Sequence, residues 1–263
     1  MHKTTLCATG SSGLIGKNLS RNVEPFEGDL LNGEWMHRNN LSTIQTLIHL
    51  AGIVGERNVL KDKEYAHRVN VEATKRLAEF IRDETNVNFF YVSSSHVYKR
   101  KSSELVEQDV IAPLNTYGMQ KAMAEEALLR IFSSQLDRLK IVRVFSILNH
   151  GMPEGSLGWA IENSQRTPVR FGDDIRDFLS AKQVARTIEK LAQLSFNTNI
   201  VNICTGIPTS IKNSVSLLLN IKEGEQLSRL YKNGQSSSPV ILGNPELLKS
   251  ILDGYELKWE FLK

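Results

Sequence analysis

The segment "TGSSGLIG" at residues 9–16 limits this chain to few folds. Its glycines, Gly10, Gly13 and Gly16, have GxxGxxG spacing. Before it lies "TTLCAT" (4–9), short, apolar and β-branched, which reads as a buried strand. After it, "KNLSRN" reads as the rest of a short helix opened by the turn. Glycines between a strand and a helix permit a tight turn, close backbone approach to a pyrophosphate, and helix–strand packing. The helix N-terminus would then face the phosphates. The competing reading is a glycine turn that serves the fold alone. An acid for the ribose hydroxyls is expected about 20 residues on. Asp29 in "GDL" stands near that distance, and Glu24 and Glu27 compete with it. Little chain separates Gly16 from Asp29, so the nucleotide half is expected to be shortened after its first helix. The choice between NAD and NADP stays open.

The rest of the chain alternates in type. "TLIHLAG" (46–52), "NFFYVSSS" (88–95), "KIVRVFSI" (140–147) and "IVNICTG" (200–206) read as buried strands. "KEYAHRVNVEATKRLAEFIRDE" (63–84) places Ala66, Val69, Ala73, Leu77 and Ile81 along one helical face. "TYGMQKAMAEEALLRIF" (116–132) and "AKQVARTIEKLAQL" (181–194) also read as helices. This alternation predicts an α/β chain with a Rossmann-type, doubly wound parallel sheet. "NGQSSSP" (233–239) reads as a surface loop.

Composition narrows the function classes. With 263 residues, 41% hydrophobic and 23% charged, the chain is an ordinary globular protein. A formal charge of +3, without a Lys/Arg cluster, argues against a nucleic-acid partner. No stretch is long and apolar enough to predict a membrane span. The first glycine turn arrives within ten residues, so no signal peptide is expected ahead of the fold. Cys7 and Cys204 sit in apolar contexts and read as reduced, buried thiols, without a disulfide or metal site. A cytoplasmic compartment is the corresponding expectation.

"YGMQK" supplies the chemistry. Tyr117 and Lys121 stand four apart, so both fall on one helical face. An ammonium beside a phenol favours the phenolate and lowers its pKa from about 10. The pair is therefore a candidate general acid/base, set against the chance meeting of Tyr and Lys on a helix.

In order, "TGSSGLIG", "GDL", "HLAG", "VNVEATKRL", "YVSSSHVY", "PLNTYGMQK" and "RDFLSAKQVA" resemble the extended short-chain dehydrogenase/reductase family. More narrowly, they resemble its NAD-dependent epimerase/dehydratase branch, which acts mostly on nucleotide-sugars. The resemblance covers residues 3 to 210. It implies a Rossmann domain of residues 1–149 plus about 180–206. A small substrate lobe of about 150–179 plus 207–263 would complete the chain, with Trp259 and Phe261 in its core.

The resemblance also implies roles. Tyr117 becomes the catalytic acid/base, Lys121 its modulator and a ligand of the nicotinamide ribose, and Ser94 a hydrogen-bond partner of the reacting oxygen. Ser95 is the nearest rival to Ser94. Gly10, Ser12, Gly13, Leu14, Ile15, Leu50, Ala51 and Gly52 would line NAD or NADP, with Asp29 and Leu30 flanking its adenine. Asn70 would sit behind the site, in a structural or functional role. Substrate contacts would come from Ser94, Ser95, His96, Asn149 and Arg176. Arg176 would meet a diphosphate, against an ion pair with Asp173, Asp174 or Asp177. Ser146 stands where the family often has a nucleotide-binding asparagine; Asn149 would substitute for it, and the competing reading makes Asn149 and His150 plain loop residues. Trp159 reads as core. A homodimer is expected by analogy.

Dehydratases of this branch carry a carboxylate where this chain has Ser94-Ser95-His96, which argues against 4,6-dehydration. Three readings remain: a 4-ketoreductase of a nucleotide 4-keto-6-deoxysugar, a nucleotide-sugar 4-epimerase, and a non-catalytic nucleotide sensor on the same fold. A shortened adenosine half favours an exchanging cofactor, and hence the reductase.

Overall fold

A computed structural model describes residues 5–33, 35–222, 224–235 and 240–254. The chain divides into two compact units: Met1–Lys99, Val110–Val144 and Val184–Val201 in the first, Arg100–Asp109, Phe145–Gln183 and Asn202–Lys263 in the second. Residues 100–109 and 145–149 thus group with the second unit.

In chain order the first half runs β1 (Leu6–Thr9), β2 (Val23–Pro25), α1 (Trp35–Arg38), β3 (Thr46–His49), α2 (Glu56–Val59), α3 (Lys63–His67), α4 (Thr74–Glu84), β4 (Asn88–Ser94), α5 (Thr116–Ile131) and β5 (Leu139–Val144). The second half runs β6 (Ser146–Ile147), α6 (Leu157–Glu162), β7 (Val169–Phe171), β8 (Ile175–Leu179), α7 (Ala181–Ala192), β9 (Ile200–Ile203), β10 (Pro208–Ser210), α8 (Ile211–Leu219), α9 (Glu225–Leu230), β11 (Tyr231–Asn233), β12 (Val240–Ile241) and α10 (Glu246–Ile251).

Six strands form the main sheet, in the order β2-β1-β3-β4-β5-β9. The pairs β1–β2, β1–β3, β3–β4 and β4–β5 are parallel. Strands buried on both faces account for the continuous apolar runs in the sequence. The strand order reverses between β1 and β3, and the crevice at such a switch point is where open α/β sheets bind ligands. Residues 10–15 and 50–52 leave the carboxyl ends of these two strands.

The shortened nucleotide half is real, but its form differs from expectation. No α-helix follows the glycine turn. Gly16–Asn18 make a single 3-10 turn, and the chain enters β2 almost at once. A three-residue turn has no macrodipole to offer a phosphate. The edge strand has no strand signature in the sequence, because "VEP" is polar and carries a proline, which an edge strand tolerates. Trp35, 1% exposed, fills the sheet face beside it. Its ring lies 5.1 Å from Phe80, edge-on, and 6.0 Å from Phe26. A further change falls between α3 and α4, where Arg68–Ala73 form a π-helical stretch inside the expected helix.

In the second unit, β8 pairs with β10, β12 and β6. A core of Leu148, Ile161, Phe178, Ile211, Val215 and Leu227 supports this sheet. The expected strand 140–147 therefore breaks at Phe145, with its last two residues joining β8. Trp259, Phe261 and the end of the 233–239 loop lie outside the described residues.

Candidate active site

The site of the first unit begins where β4 meets α5. Ser94 ends β4, and its Oγ accepts from the His96 N–H (3.3 Å). Asn115 caps α5, accepting from the Gly118 N–H at 2.7 Å, while its Nδ2 meets His96 Nδ1 at 2.9 Å. The first turn of α5 presses on the turn after Ser94. A Cβ added at Gly118 would stand 2.3 Å from the His96 carbonyl oxygen. Gly118 thus allows the close approach of the first turn of α5, and of Tyr117 on it, to the turn after Ser94.

Tyr117 and Lys121 are 6% and 5% exposed and lie one turn apart on α5. Lys121 Nζ donates to the Val92 carbonyl at 2.9 Å and sits 4.7 Å over the Tyr91 ring. The expected lowering of the Tyr117 pKa does not occur. Burial pushes Tyr117 up to about 12, against a lowering contribution from the Ser94 hydrogen bond. The ammonium spends its charge on Val92 and Tyr91, and removal from water decides the phenol's state. Burial also lowers Lys121 to about 8, with the Glu125 charge opposing.

The loop after β3 is held by residues that the motifs did not reveal. Thr9 Oγ1 accepts from the Leu50 and Ala51 N–H groups, both at 3.1 Å. Its own proton goes to His49 Nδ1 (2.8 Å), His49 Nε2–H donates to Thr74 Oγ1 (2.9 Å), and Thr74 donates to the Asn70 carbonyl (3.0 Å). Counting donors along this chain sets the His49 tautomer. Burial, with the Lys121 charge, lowers His49 to about 3, so the ring is neutral. Asn70 sits in the π-helical stretch and clasps the loop, accepting from the Ile53 N–H at 2.7 Å and donating to the Ile53 carbonyl at 3.0 Å. Gly52 comes close to the site: a Cβ there would meet Asn70 Oδ1 at 2.9 Å and Lys121 Nζ at 4.0 Å. Glu56 Oε2 accepts from the Tyr117 N–H at 2.8 Å. Burial works against its charge, but hydrogen bonds from Tyr117 and Thr116 outweigh that and lower its pKa.

Beneath the site, buried Glu125 accepts from Ser93 Oγ (2.5 Å) and pairs with Arg143 at 2.7 Å. The Arg143 guanidinium lies 4.6 Å over the Tyr98 ring. This pair ties α5, β4 and β5 together.

The glycine turn fits a cofactor at one position in particular. Gly10 has φ +69°, and a Cβ there would fall 2.7 Å from Ala51 N. A Cβ at Gly16 would fall 2.3 Å from the Gly10 oxygen. These two glycines serve the fold. At Gly13 a Cβ meets only the Gly10 oxygen, at 3.2 Å, and the residue is exposed. Its missing side chain leaves room on the ligand side of the turn. Asp29 is exposed beyond the end of β2, with Oδ1 accepting from the Leu31 N–H (2.8 Å), and Leu30 is buried. A cavity of about 380 Å³, lined by Thr46, Asn88, Lys140 and Phe196, opens at the amino ends of β3 and β4, away from these residues.

In the second unit, Arg176 pairs with buried Asp174 (3.4 Å) and donates to the Ile175 carbonyl (2.8 Å). Asn149 Oδ1 caps α7 through the Ala181 N–H (2.7 Å). His150 is exposed and meets Glu162 at 2.9 Å, and Trp159 is half-buried. Ser95 is buried, whereas His96 is half-buried with its ring edge-on to Tyr117 at 5.7 Å.

A parallel sheet with a glycine turn at its switch point and a tyrosine–lysine helix after β4 defines a dinucleotide-dependent enzyme class. The sequence pattern of the NAD dependent epimerase/dehydratase family matches residues 11–204, and the chain belongs to that family. It is thereby an NAD(P)-dependent enzyme of the extended short-chain dehydrogenase/reductase type. A putative UDP-glucose 4-epimerase of Methanocaldococcus jannaschii is 26% identical over 206 residues, 74% of this chain and 66% of that one. A GDP-6-deoxy-D-talose 4-dehydrogenase of Aggregatibacter actinomycetemcomitans is 24% identical, covering 94% of this chain and 90% of that one. Among solved structures, RMD from Pseudomonas aeruginosa complexed with NADPH superposes with a TM-score of 0.81 at 20% identity, over 97% of this chain and 94% of that one. No helix among the described residues is long and apolar enough to cross a membrane.

Proposed function

We propose that this protein is a nucleotide-sugar oxidoreductase, and specifically a 4-ketoreductase of a nucleotide 4-keto-6-deoxysugar. The observation that carries the reading is the buried Tyr117, with Ser94 opposing the rise of its pKa and Lys121 one turn beyond on the same helix. Bound NADH or NADPH supplies the hydride. Tyr117, buried and protonated, gives its proton to the oxygen at C4, and Ser94 holds that oxygen. Burial keeps the Tyr117 phenol protonated, so it carries the proton that ketone reduction takes up. Lys121, one turn on and depressed to about 8, stands ready to return a proton to Tyr117 and to bind the nicotinamide ribose.

Gly10, Ser12, Gly13, Leu14 and Ile15, with Leu50, Ala51 and Gly52, would hold the cofactor's phosphates and nicotinamide side. Asp29 and Leu30 would flank the adenosine. Ser95, His96, Asn149 and Arg176 would face the sugar nucleotide. The GDP-6-deoxy-D-talose 4-dehydrogenase supports this choice, because its named chemistry joins a C4 alcohol and ketone. The putative UDP-glucose 4-epimerase supports the second reading, a 4-epimerase in which Tyr117 takes and returns the same proton. A nucleotide sensor would leave the three-residue set idle. The reading includes a homodimer in a reducing cytoplasm, in keeping with the free thiols of Cys7 and Cys204. Light scattering showing only monomers would remove the dimer.

Tyr117→Phe tests the function. Turnover of NADPH or NADH with a 4-keto-6-deoxysugar nucleotide should fall by about 100-fold or more, with cofactor binding kept. Unchanged turnover would overturn the assignment. Tightly retained NAD in the purified protein would favour the epimerase.

A further inference from the structure

Two opposite charges stand on one buried stripe of α5. Lys121 is 5% exposed and Glu125 3%, and one helical turn separates them. Both reach β4, at consecutive residues. Lys121 Nζ donates to the Val92 carbonyl at 2.9 Å, and Glu125 Oε1 accepts from Ser93 Oγ at 2.5 Å. The carboxylate is also held from β5: Arg143 Nε donates to Oε1 and Oε2 at 3.1 and 3.2 Å, and Nη2 donates to Oε2 at 2.7 Å. All of these residues belong to the first unit.

The other neighbours of Lys121 carry no charge to hold its proton. Val92 offers a neutral carbonyl, and the Tyr91 ring lies 4.7 Å from Nζ. The Tyr91 phenol is protonated, pushed up by burial and then by the Glu125 and Tyr117 charges. Tyr117, on the same helix, is kept protonated by burial. His49, from β3, is neutral, because burial and the Lys121 charge both disfavour its imidazolium. Burial alone would strip the ammonium of its proton, and the Glu125 charge opposes that, leaving Lys121 at about 8. Charges removed from water act on each other far more strongly than charges at the surface.

We propose that Glu125 is a positioning residue for the proton chemistry of this site, holding Lys121 as the ammonium through neutral pH while Arg143 and Ser93 fix the carboxylate that does so. This deepens the oxidoreductase reading and rests on it for what the ammonium is used for, the return of a proton to Tyr117. An amine that titrates at about 8 is charged in about 90% of molecules at pH 7. Without the carboxylate the neutral amine gains, and it has no proton to return.

The test is an NMR titration of the ligand-free full chain, 13C-labelled at lysine, following the Cε signal that Lys121→Met removes. In the parent this signal should titrate near pH 8. Glu125→Gln keeps the shape and an accepting oxygen but loses the charge, so the ammonium should become at least about tenfold more acidic. The charged form is then lost as pH rises through about 7 instead of about 8. Ser93→Ala keeps the carboxylate and should leave the titration in place. A packing role would move Lys121 equally in both variants or in neither, and either result overturns the proposal. If Glu125→Gln does not fold, the Glu125→Leu, Arg143→Met double variant decides: its Lys121 should again be more acidic, and a titration equal to the parent's overturns the proposal. NADH titration of the same proteins keeps the two readings apart. An unmoved Lys121 with intact NADH binding removes the role of Glu125 alone. A Lys121 that moves as expected in a chain that does not bind NADH upholds that role and removes the oxidoreductase reading.

Discussion

Replacing Gly118 by alanine puts two physical effects in opposition. In an ordinary helix interior, Gly→Ala stabilises by about 1 kcal/mol through helix propensity. Here the new Cβ would stand 2.3 Å from the His96 carbonyl oxygen and 3.0 Å from Pro113 Cβ. The obstructing atom at 2.3 Å is backbone, so a rotamer change cannot relieve it. The start of α5 must back away from the turn after Ser94 by about 1 Å to reach ordinary contact distance. Overpacking of this kind costs about 1–3 kcal/mol, which outweighs the propensity gain. For a chain of this size, each net kcal/mol lowers the melting temperature by about 2–4 °C. The same displacement draws Tyr117 from Ser94, and a misplacement of about 1 Å at a reacting group can cost about 100-fold in turnover. Thermal unfolding and single-turnover kinetics on Gly118→Ala would read both quantities. A variant that melts higher than the parent, with its rate unchanged, would refute the argument that Gly118 exists for the approach to His96.

Further expectations follow from other contacts. Gly13→Ala should fold normally and weaken NAD(P)H binding by about 10-fold, from overpacking against the ligand, as read by fluorescence titration. Gly10→Ala should instead be poorly folded, given φ +69° and the 2.7 Å clash with Ala51. Glu125→Ala takes the carboxylate from buried Arg143 and should cost about 3–5 kcal/mol in denaturant unfolding; an Arg143→Met, Glu125→Leu double variant should recover most of it. His49 is neutral in the fold and takes up a proton more readily when unfolded, so its contribution to stability is lost as pH falls below about 6.5 toward about 3. Between about pH 6.5 and 5 the parent should lose about 2 kcal/mol from this group, and His49→Gln should flatten that slope.

The sequence by itself determined the alternation of strands and helices, the glycine turn at the first strand, and the placement of Tyr117 and Lys121 on one helical face. Each depends on residues close together in the chain, through a period of two or 3.6 or a motif of fixed spacing. Tertiary structure decided the rest. The polar β2 and the Trp35 plug beside it depend on what the sheet edge will accept. The Thr9–His49–Thr74 chain joins residues 40 and 25 positions apart, and Glu125–Arg143 joins residues 18 apart, so no local pattern announces them. Spacing predicts a lowered Tyr117 pKa because it reports only that a lysine is near, whereas burial and the competing Val92 carbonyl decide what that charge does. The reason is the same in each case: a hydrogen bond or a desolvation penalty depends on which distant segments the fold brings into contact, and periodicity encodes only which face a residue occupies.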